Sequence, residues 1–222
     1  YKRQYADARQ HLSQVMAASA FPEGTAEARR LAALTYLHER NIERATQAMS
    51  EAARLAEADG RRYEAVGAHR SLAAMAGVRR DESAVRHHIA EQERLGRFDA
   101  FHHFWAAIAW VQAGRADLAR AAVQALEKEN ENADVIVAPA TLQVVRGVVF
   151  QAEGKDEEAL AVLGNSGNHW AVVARYEALM RLGRRAEAER RLRSLFDQVG
   201  YDAFSTALPV ARYRFGNVAT SN

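Results

Sequence analysis

Eight histidines are the residues of this sequence best suited to metal binding, and four of them form the adjacent pairs His87-His88 and His102-His103. Neighbouring residues on an α-helix point about 100° apart, so neither pair can chelate an ion alone. Asp99 with His103, and His87 with Glu91, lie four residues apart and share a helix face. Two ligands are fewer than a zinc site uses, so we predict no metal site and no cofactor.

Three further patterns have the composition of catalytic sites but not their context. Gly154-Lys155-Asp156 lacks the earlier glycine and the Ser/Thr of a phosphate-binding loop. Gly164-Asn165-Ser166-Gly167 does not follow a predicted strand, as a nucleophile elbow does. Paired acids such as Glu157-Glu158 suit the start of a helix, where the helix dipole favours negative charge. Because no nucleophile, base and orienting group come together, the sequence predicts a non-catalytic protein.

The composition is that of a helical protein. A chain of 222 residues is long enough to bury a large core. Of these residues, 49% are hydrophobic and 26% are charged, and only three are proline. The absence of cysteine excludes disulfides, zinc–thiolate sites and thiol catalysis. A net charge of +2 is too balanced to indicate a nucleic-acid-binding protein. The sequence has no apolar run of the roughly 18 residues that span a membrane and no leader at its start, so a cytoplasmic location is favoured.

The elements that would hold these residues are helices joined by a recurring turn. Glycine precedes alanine by five residues at Gly114, Gly154 and Gly183, and a weaker copy spans Arg40–Ala45. Glycine suits the left-handed residue that ends one helix, and the alanine falls inside the next, so the pattern predicts tight helical hairpins. The predicted helices span 2–18, 25–39, 42–58, 62–77, 81–95, 98–113, 115–130, 139–153, 155–163, 169–182, 184–199 and 205–215. Thr25 is the predicted N-cap of the second helix.

This spacing resembles the signature of the tetratricopeptide repeat (TPR) family. A large residue stands four positions before the turn glycine or Arg40, namely Tyr36, Trp110, Phe150 and Leu179. The resemblance implies an all-α superhelix, or solenoid, of about five helical hairpins in one domain over 1–222. Clear repeats span 25–58, 99–130, 138–163 and 169–199, a divergent repeat spans 61–95, and half-repeats span 1–18 and 205–216. Such arrays resemble parts of bacterial multidomain signalling proteins, so we expect a piece of a longer protein.

The resemblance also implies a binding surface. In TPR proteins the first helix of each hairpin lines a concave groove that holds a protein or peptide. Carried over to this sequence, the groove residues are Arg30, His38, His69, Phe101, Phe104, Gln112, Gln151, Trp170, Glu177 and Arg181. Because this set is rich in aromatic residues, it suits an apolar or amphipathic peptide or helix. The alternative is that the aromatic residues of the 101–110 segment fill the core.

A second predicted surface is basic. It consists of Arg184, Arg185, Arg190 and Arg191 and would dock an acidic partner. Glu187 and Glu189 lie among these arginines, so an ion-paired, solvated helix face is the alternative. Nucleic acid is a poorer candidate because no aromatic residues flank the arginines for base stacking. The sequence therefore predicts a protein- or peptide-binding scaffold, and the alternative function is self-association through the aromatic face.

Overall fold

The computed structural model describes residues 5–18, 22–96, 101–132 and 137–197, without the side chains of 22–23 and 194–197. Within these ranges the chain forms eleven α-helices and no strand, so the all-α prediction is confirmed. The helices are α1 (Tyr5–Ala18), α2 (Pro22–His38), α3 (Ile42–Ala58), α4 (Arg62–Val78), α5 (Glu82–Leu95), α6 (His102–Gln112), α7 (Ala116–Asn132), α8 (Pro139–Ala152), α9 (Asp156–Leu163), α10 (His169–Arg181) and α11 (Arg185–Asp197). None of them is long and apolar enough to cross a membrane.

Helix boundaries depart from the predicted ones at the starts of α2 and α6. Helix α2 begins at Pro22, so Thr25 lies inside the helix and its prediction as the N-cap is wrong. Proline suits a first turn because the N–H that it lacks has no helical partner there. Helix α6 begins at His102 rather than at Phe98. The predicted helix over 205–215 lies outside the described residues.

Six connections share one turn, in which a left-handed residue ends the helix. At Gly154 (φ 78°), the glycine amide donates to the carbonyl of Gln151 (3.1 Å), and the Lys155 amide donates to that of Phe150 (2.9 Å). This is a Schellman turn. The same two hydrogen bonds recur at Arg40, Gly60, Arg80, Gly114 and Gly183. At the four turns of the sequence signature, the large residue four positions before the left-handed one is therefore the residue whose carbonyl closes the turn.

The alanine of the sequence signature is a buried position of the next helix. The residue five positions after the left-handed one is fully buried at all six turns. These residues are Ala45, Ala65, Val85, Ala119, Ala159 and Ala188. Arg80 adopts φ 57° without being glycine, so the 61–95 segment, predicted as divergent, makes the same turn.

Packing joins neighbouring helices and also alternate ones. Besides consecutive helices, α4 packs on α6, α6 on α8, and α8 on α10, which gives a repeat-like arrangement. One buried cluster extends from Leu34 in α2 to Ala174 in α10. Glycine permits the closest helix contacts, because a Cβ on Gly147 would lie 2.4 Å from Cγ of Leu163 in α9. This packing holds α2, α3, α4 and α6 around the cavity described next.

Candidate functional site

A cavity of about 360 Å³ opens between α2, α3, α4 and α6. Nearly half of the lining residues are small, namely Ala26, Ala52, Ala56, Gly67, Ala68 and Ser71. Small side chains let the four helices approach each other without filling the space between them. The volume lies at the lower end of the range of about 300–1,000 Å³ that is typical of ligand pockets. It is large enough to receive one or two side chains of a bound peptide.

Three arginines, Arg30, Arg61 and Arg70, line the cavity together with two glutamates, Glu27 and Glu64. Two hydrogen bonds of 2.7 Å join Arg30 to the carboxylate of Glu27, which lies about one helical turn earlier on α2. A fork of this kind neutralises both groups and fixes their orientation. Arg30 and Glu27 therefore form a rigid, paired edge of the cavity.

Arg61 is held less tightly. Its Nε lies 3.7 Å from Oδ2 of Asp59, and its Nη1 lies 3.6 Å from Oε1 of Glu64, and both distances exceed those of hydrogen bonds. Its Nε and Nη2 atoms are buried and donate no hydrogen bond within the described part of the chain. Buried donors of native proteins nearly always find an acceptor. A carboxylate that enters the cavity would supply one once the Arg61 side chain turns this buried edge toward it.

Two aromatic residues complete the lining. Tyr63 is exposed near the start of α4, and Trp105 reaches the cavity from α6. The Trp105 ring meets the Trp170 ring edge to face, with centroids 6.4 Å apart and planes at 83°. Trp105 therefore joins the cavity wall to the buried core. The chemistry of the cavity is that of an apolar pocket with three arginines and two glutamates at its edge.

Comparison with known proteins gives no relative. The chain matches no protein-family model, no curated protein and no solved structure.

Half of the predicted groove residues lie in the core. The side chains of Phe104 and Trp170 are 4% and 2% exposed, and those of His69, Gln112 and Gln151 are also buried. A partner could reach them only if the helices moved apart. The burial of Phe104 supports the alternative that the aromatic residues of the 101–110 segment fill the core.

The other five predicted groove residues stay at or near the surface but are spread from α2 to α10. Arg30 lines the cavity, while His38 stacks on Tyr5 with ring centroids 5.5 Å apart. Phe101 is 40% exposed. Arg181 binds Asp156 and donates to the Gln151 carbonyl (2.6 Å), which ties α10 to the turn between α8 and α9. Glu177 is half-buried on α10. The structure thus does not gather the predicted set into one site.

The predicted basic face lies on α11 and in the turn before it. Arg184 pairs with Glu187 (2.7 Å), and Arg185 pairs with Glu189 (3.1 Å). Arg191 donates to Oδ1 of Asn165 (3.0 Å), and Arg190 is exposed. These pairs support the alternative of an ion-paired, solvated helix face. Each carboxylate screens the charge of the arginine beside it.

A cluster of histidines and carboxylates joins α3, α4 and α5. Nε2 of the buried His69 lies 3.0 Å from Oε1 of Glu57, and its Nδ1 lies 3.1 Å from Nδ1 of His88. Arg94 donates to Oε2 of Glu57 (2.5 Å) and to Oε2 of Glu91 (2.7 Å). Glu57, His69 and Glu91 each offer one ligand atom within 4.8 Å of the others.

Burial and neighbouring charges shift the pKa values in this cluster. Burial lowers the pKa of His88 to about 4, helped by unfavourable electrostatic interactions with His69 and His87. For Glu57, burial alone would raise the pKa, but hydrogen bonds from His69 and Arg94 outweigh it and the pKa is lowered. The hydrogen bond from Arg94 lowers the pKa of Glu91. Both carboxylates are therefore ionised at neutral pH.

The sequence prediction missed this cluster because it compared histidines only within one helix. His87 and Glu91 share a face of α5, but Glu57 comes from α3 and His69 comes from α4. The short Asp59-Gly60 turn places the last turn of α3 beside the first half of α4. Pairing across this turn places Glu57 opposite the first turn of α4, so the sequence alone gives no direct signal for its contact with His69.

Proposed function

We propose that this chain is a non-catalytic protein-interaction scaffold, whose hairpins stack as a TPR-type superhelix and whose cavity receives an acidic side chain of an amphipathic peptide. Six matching turns and the packing of alternate helices from α4 to α10 support the superhelix. Stacking of this kind buries the apolar face that a single hairpin leaves exposed. The peptide would lie across α2, α4 and α6.

The observation that carries the proposal is the position of Arg61 in the cavity. Its Nε and Nη2 atoms are buried, and neither donates a hydrogen bond within the described residues. A carboxylate accepts two such bonds from a guanidinium side by side, and these charge-assisted bonds are stronger than neutral ones. Tyr63 and Trp105 add apolar surface next to the charge, which suits a ligand that carries both an acid and an apolar group.

A selection experiment tests this proposal. A display library of amphipathic helical peptides, panned on the full chain, should yield sequences that share an aspartate or glutamate flanked by apolar residues. The variant Arg61→Gln should bind these peptides about ten- to a hundredfold more weakly, as expected for a lost hydrogen bond to a charged group. Arg54→Gln is the matched control, because Arg54 is exposed on α3 and does not line the cavity.

Two outcomes would count against the proposal. One is selected peptides that lack an acid, and the other is equal affinity for the wild type and Arg61→Gln. Light scattering on the same samples separates self-association from peptide binding. A dimer that forms at high concentration and is unaffected by the selected peptides would favour the self-association alternative.

A further inference from the structure

Three helices bring three metal-binding side chains to one place. Glu57 lies in the last turn of α3, His69 in the middle of α4, and Glu91 near the end of α5. One ligand atom from each lies within 4.8 Å of the other two. In a tetrahedral zinc site with bonds of about 2.1 Å, two ligand atoms lie about 3.4 Å apart, so side-chain rotations that bring these atoms closer by up to about 1.4 Å would close the set around an ion.

His69 is the best-fixed member of the three. It is 6% exposed, and its Nε2 points at Oε1 of Glu57. Its other ring nitrogen lies 3.1 Å from Nδ1 of His88, so one of these two nitrogens must carry a proton and the other must accept it. A metal on Nε2 of His69 would require the proton on Nδ1, from where it donates to His88. Metal-bound histidines typically make an outer hydrogen bond of this type.

Arg94 orients the two carboxylates without occupying the whole of either. It contacts Oε2 of both Glu57 and Glu91, while Oε1 of Glu57 faces His69. Hydrogen bonds to the outer oxygen of a ligating carboxylate are the usual way in which its position is fixed. The arginine also balances part of the charge of two adjacent acids in a partly buried position.

We propose that Glu57, His69 and Glu91 form a binding site for a divalent first-row transition metal ion, with Zn²⁺ as the favoured ion, and that His88 and Arg94 support it. One imidazole and two carboxylates are a ligand set that zinc accepts, and three protein ligands leave a position open for water. The ion would tie α3, α4 and α5 together and so stabilise the folded chain. The site shares no residue with the peptide cavity, so the two proposals stand or fall separately.

Zinc titration of the full chain, without an affinity tag and after treatment with a chelator, tests the site. Calorimetry should give one equivalent of Zn²⁺ bound, and long-range ¹H–¹⁵N spectra should show the largest shift at Nε2 of His69. Glu91→Gln should weaken binding at least about tenfold, since even outer-shell changes have effects of about 10–100-fold. Glu129→Gln is the control. Glu129 and His103 lie 3.0 Å apart and together offer two metal ligands rather than three, so this variant should leave the zinc affinity unchanged.

Three results would overturn the site. They are an unchanged affinity in Glu91→Gln, zinc-induced shifts confined to histidines other than His69, and no binding at micromolar zinc. The spectra of the wild-type chain decide the question even where a variant fails to fold, because they report the bound nitrogen directly. Circular dichroism of Glu91→Gln and Glu129→Gln establishes that the two variants are compared in the same fold.

Discussion

Gly77 of α4 touches the backbone of Ala109 in α6, because a Cβ on Gly77 would lie 2.4 Å from the Ala109 carbonyl oxygen. The same Cβ would lie 2.8 Å from Cβ of Gln112. Neither neighbour is the far end of a flexible side chain, so the helices themselves would have to separate. This contact sets the distance between two of the helices that enclose the cavity.

Gly77→Ala should therefore destabilise the protein by about 1–3 kcal/mol, the usual effect of overpacking, although alanine favours helices by about 1 kcal/mol over glycine. Gly67→Ala is the matched control on the same helix, because no atom of the described residues outside the surrounding helix backbone lies within 4 Å of its Cβ position. It should stabilise the protein by up to about 1 kcal/mol. Urea unfolding of both variants measures the difference, and a stabilised Gly77→Ala would show that α4 and α6 do not meet in this way.

Arg80 should be the strained counterpart of the turn glycines. Its φ of 57° is unfavourable for a residue with a Cβ, whereas Gly154 adopts φ 78° without that penalty. Arg80→Gly should stabilise the protein by about 1 kcal/mol, and Gly154→Ala should destabilise it by a similar amount. Thermal unfolding measures both. Shifts of the same sign in the two variants would contradict the shared Schellman turn.

Stability should depend on pH through Glu153, which ends α8. Burial alone would raise the pKa of Glu153, but Arg120 (2.5 Å) and Lys155 (2.9 Å) outweigh it and lower the pKa. A carboxyl group with a lowered folded-state pKa stabilises the fold above its unfolded pKa, which is about 4.3, and stops doing so as the pH falls through the folded value.

Glu153→Gln should therefore lower the free energy of unfolding at pH 7, and the difference from the wild type should shrink as the pH falls below about 4. Denaturant unfolding between neutral and acidic pH measures this difference. Glu158→Gln, at an exposed position in the first turn of α9, is the control and should change stability by less than about 1 kcal/mol, since it loses only a solvent-exposed interaction with the helix dipole. A difference that stays constant with pH would mean that the ion pairs with Arg120 and Lys155 do not form.

Truncation of two neighbouring phenylalanines should destabilise the protein to very different extents. Phe104 is buried, whereas Phe101 is 40% exposed, and their rings meet edge to face with centroids 6.1 Å apart. Phe104→Ala should destabilise the protein by about 3–5 kcal/mol, the range for a buried phenylalanine. Phe101→Ala should have an effect of about 1 kcal/mol or less, since its side chain is 40% exposed. Similar losses in the two variants would place Phe101 in the core as well.

Local interactions explain what could be predicted from the sequence. The helices and the glycine turns were predictable because Gly60, Gly114, Gly154 and Gly183 adopt the left-handed conformation that ends a helix. The turn before Asp81 was predicted from the helix ends at 77 and 81, but its left-handed conformation was not, because an arginine at position 80 gives no such signal. Its hydrogen bonds nonetheless match those of the glycine turns.

Long-range packing explains what could not be predicted. Phe104 and Trp170 lie on helices that other helices cover on most sides, so helical spacing alone could not separate core from groove. The site residues Arg61 and Trp105 come from the start of α4 and from α6, 44 positions apart in the sequence. Only the packing of α4 on α6 brings them to one cavity.

The chain carries three tryptophans, and they allow a direct test of the proposed binding site. Trp105 lines the cavity, whereas Trp110 and Trp170 are buried and do not line it. The decisive measurement is the ¹H–¹⁵N spectrum of the indole groups during titration with a selected acidic peptide. The proposal predicts the largest shift at Trp105, and that shift should be lost in Arg61→Gln. A bound peptide that leaves the Trp105 signal unchanged would contradict binding in this cavity.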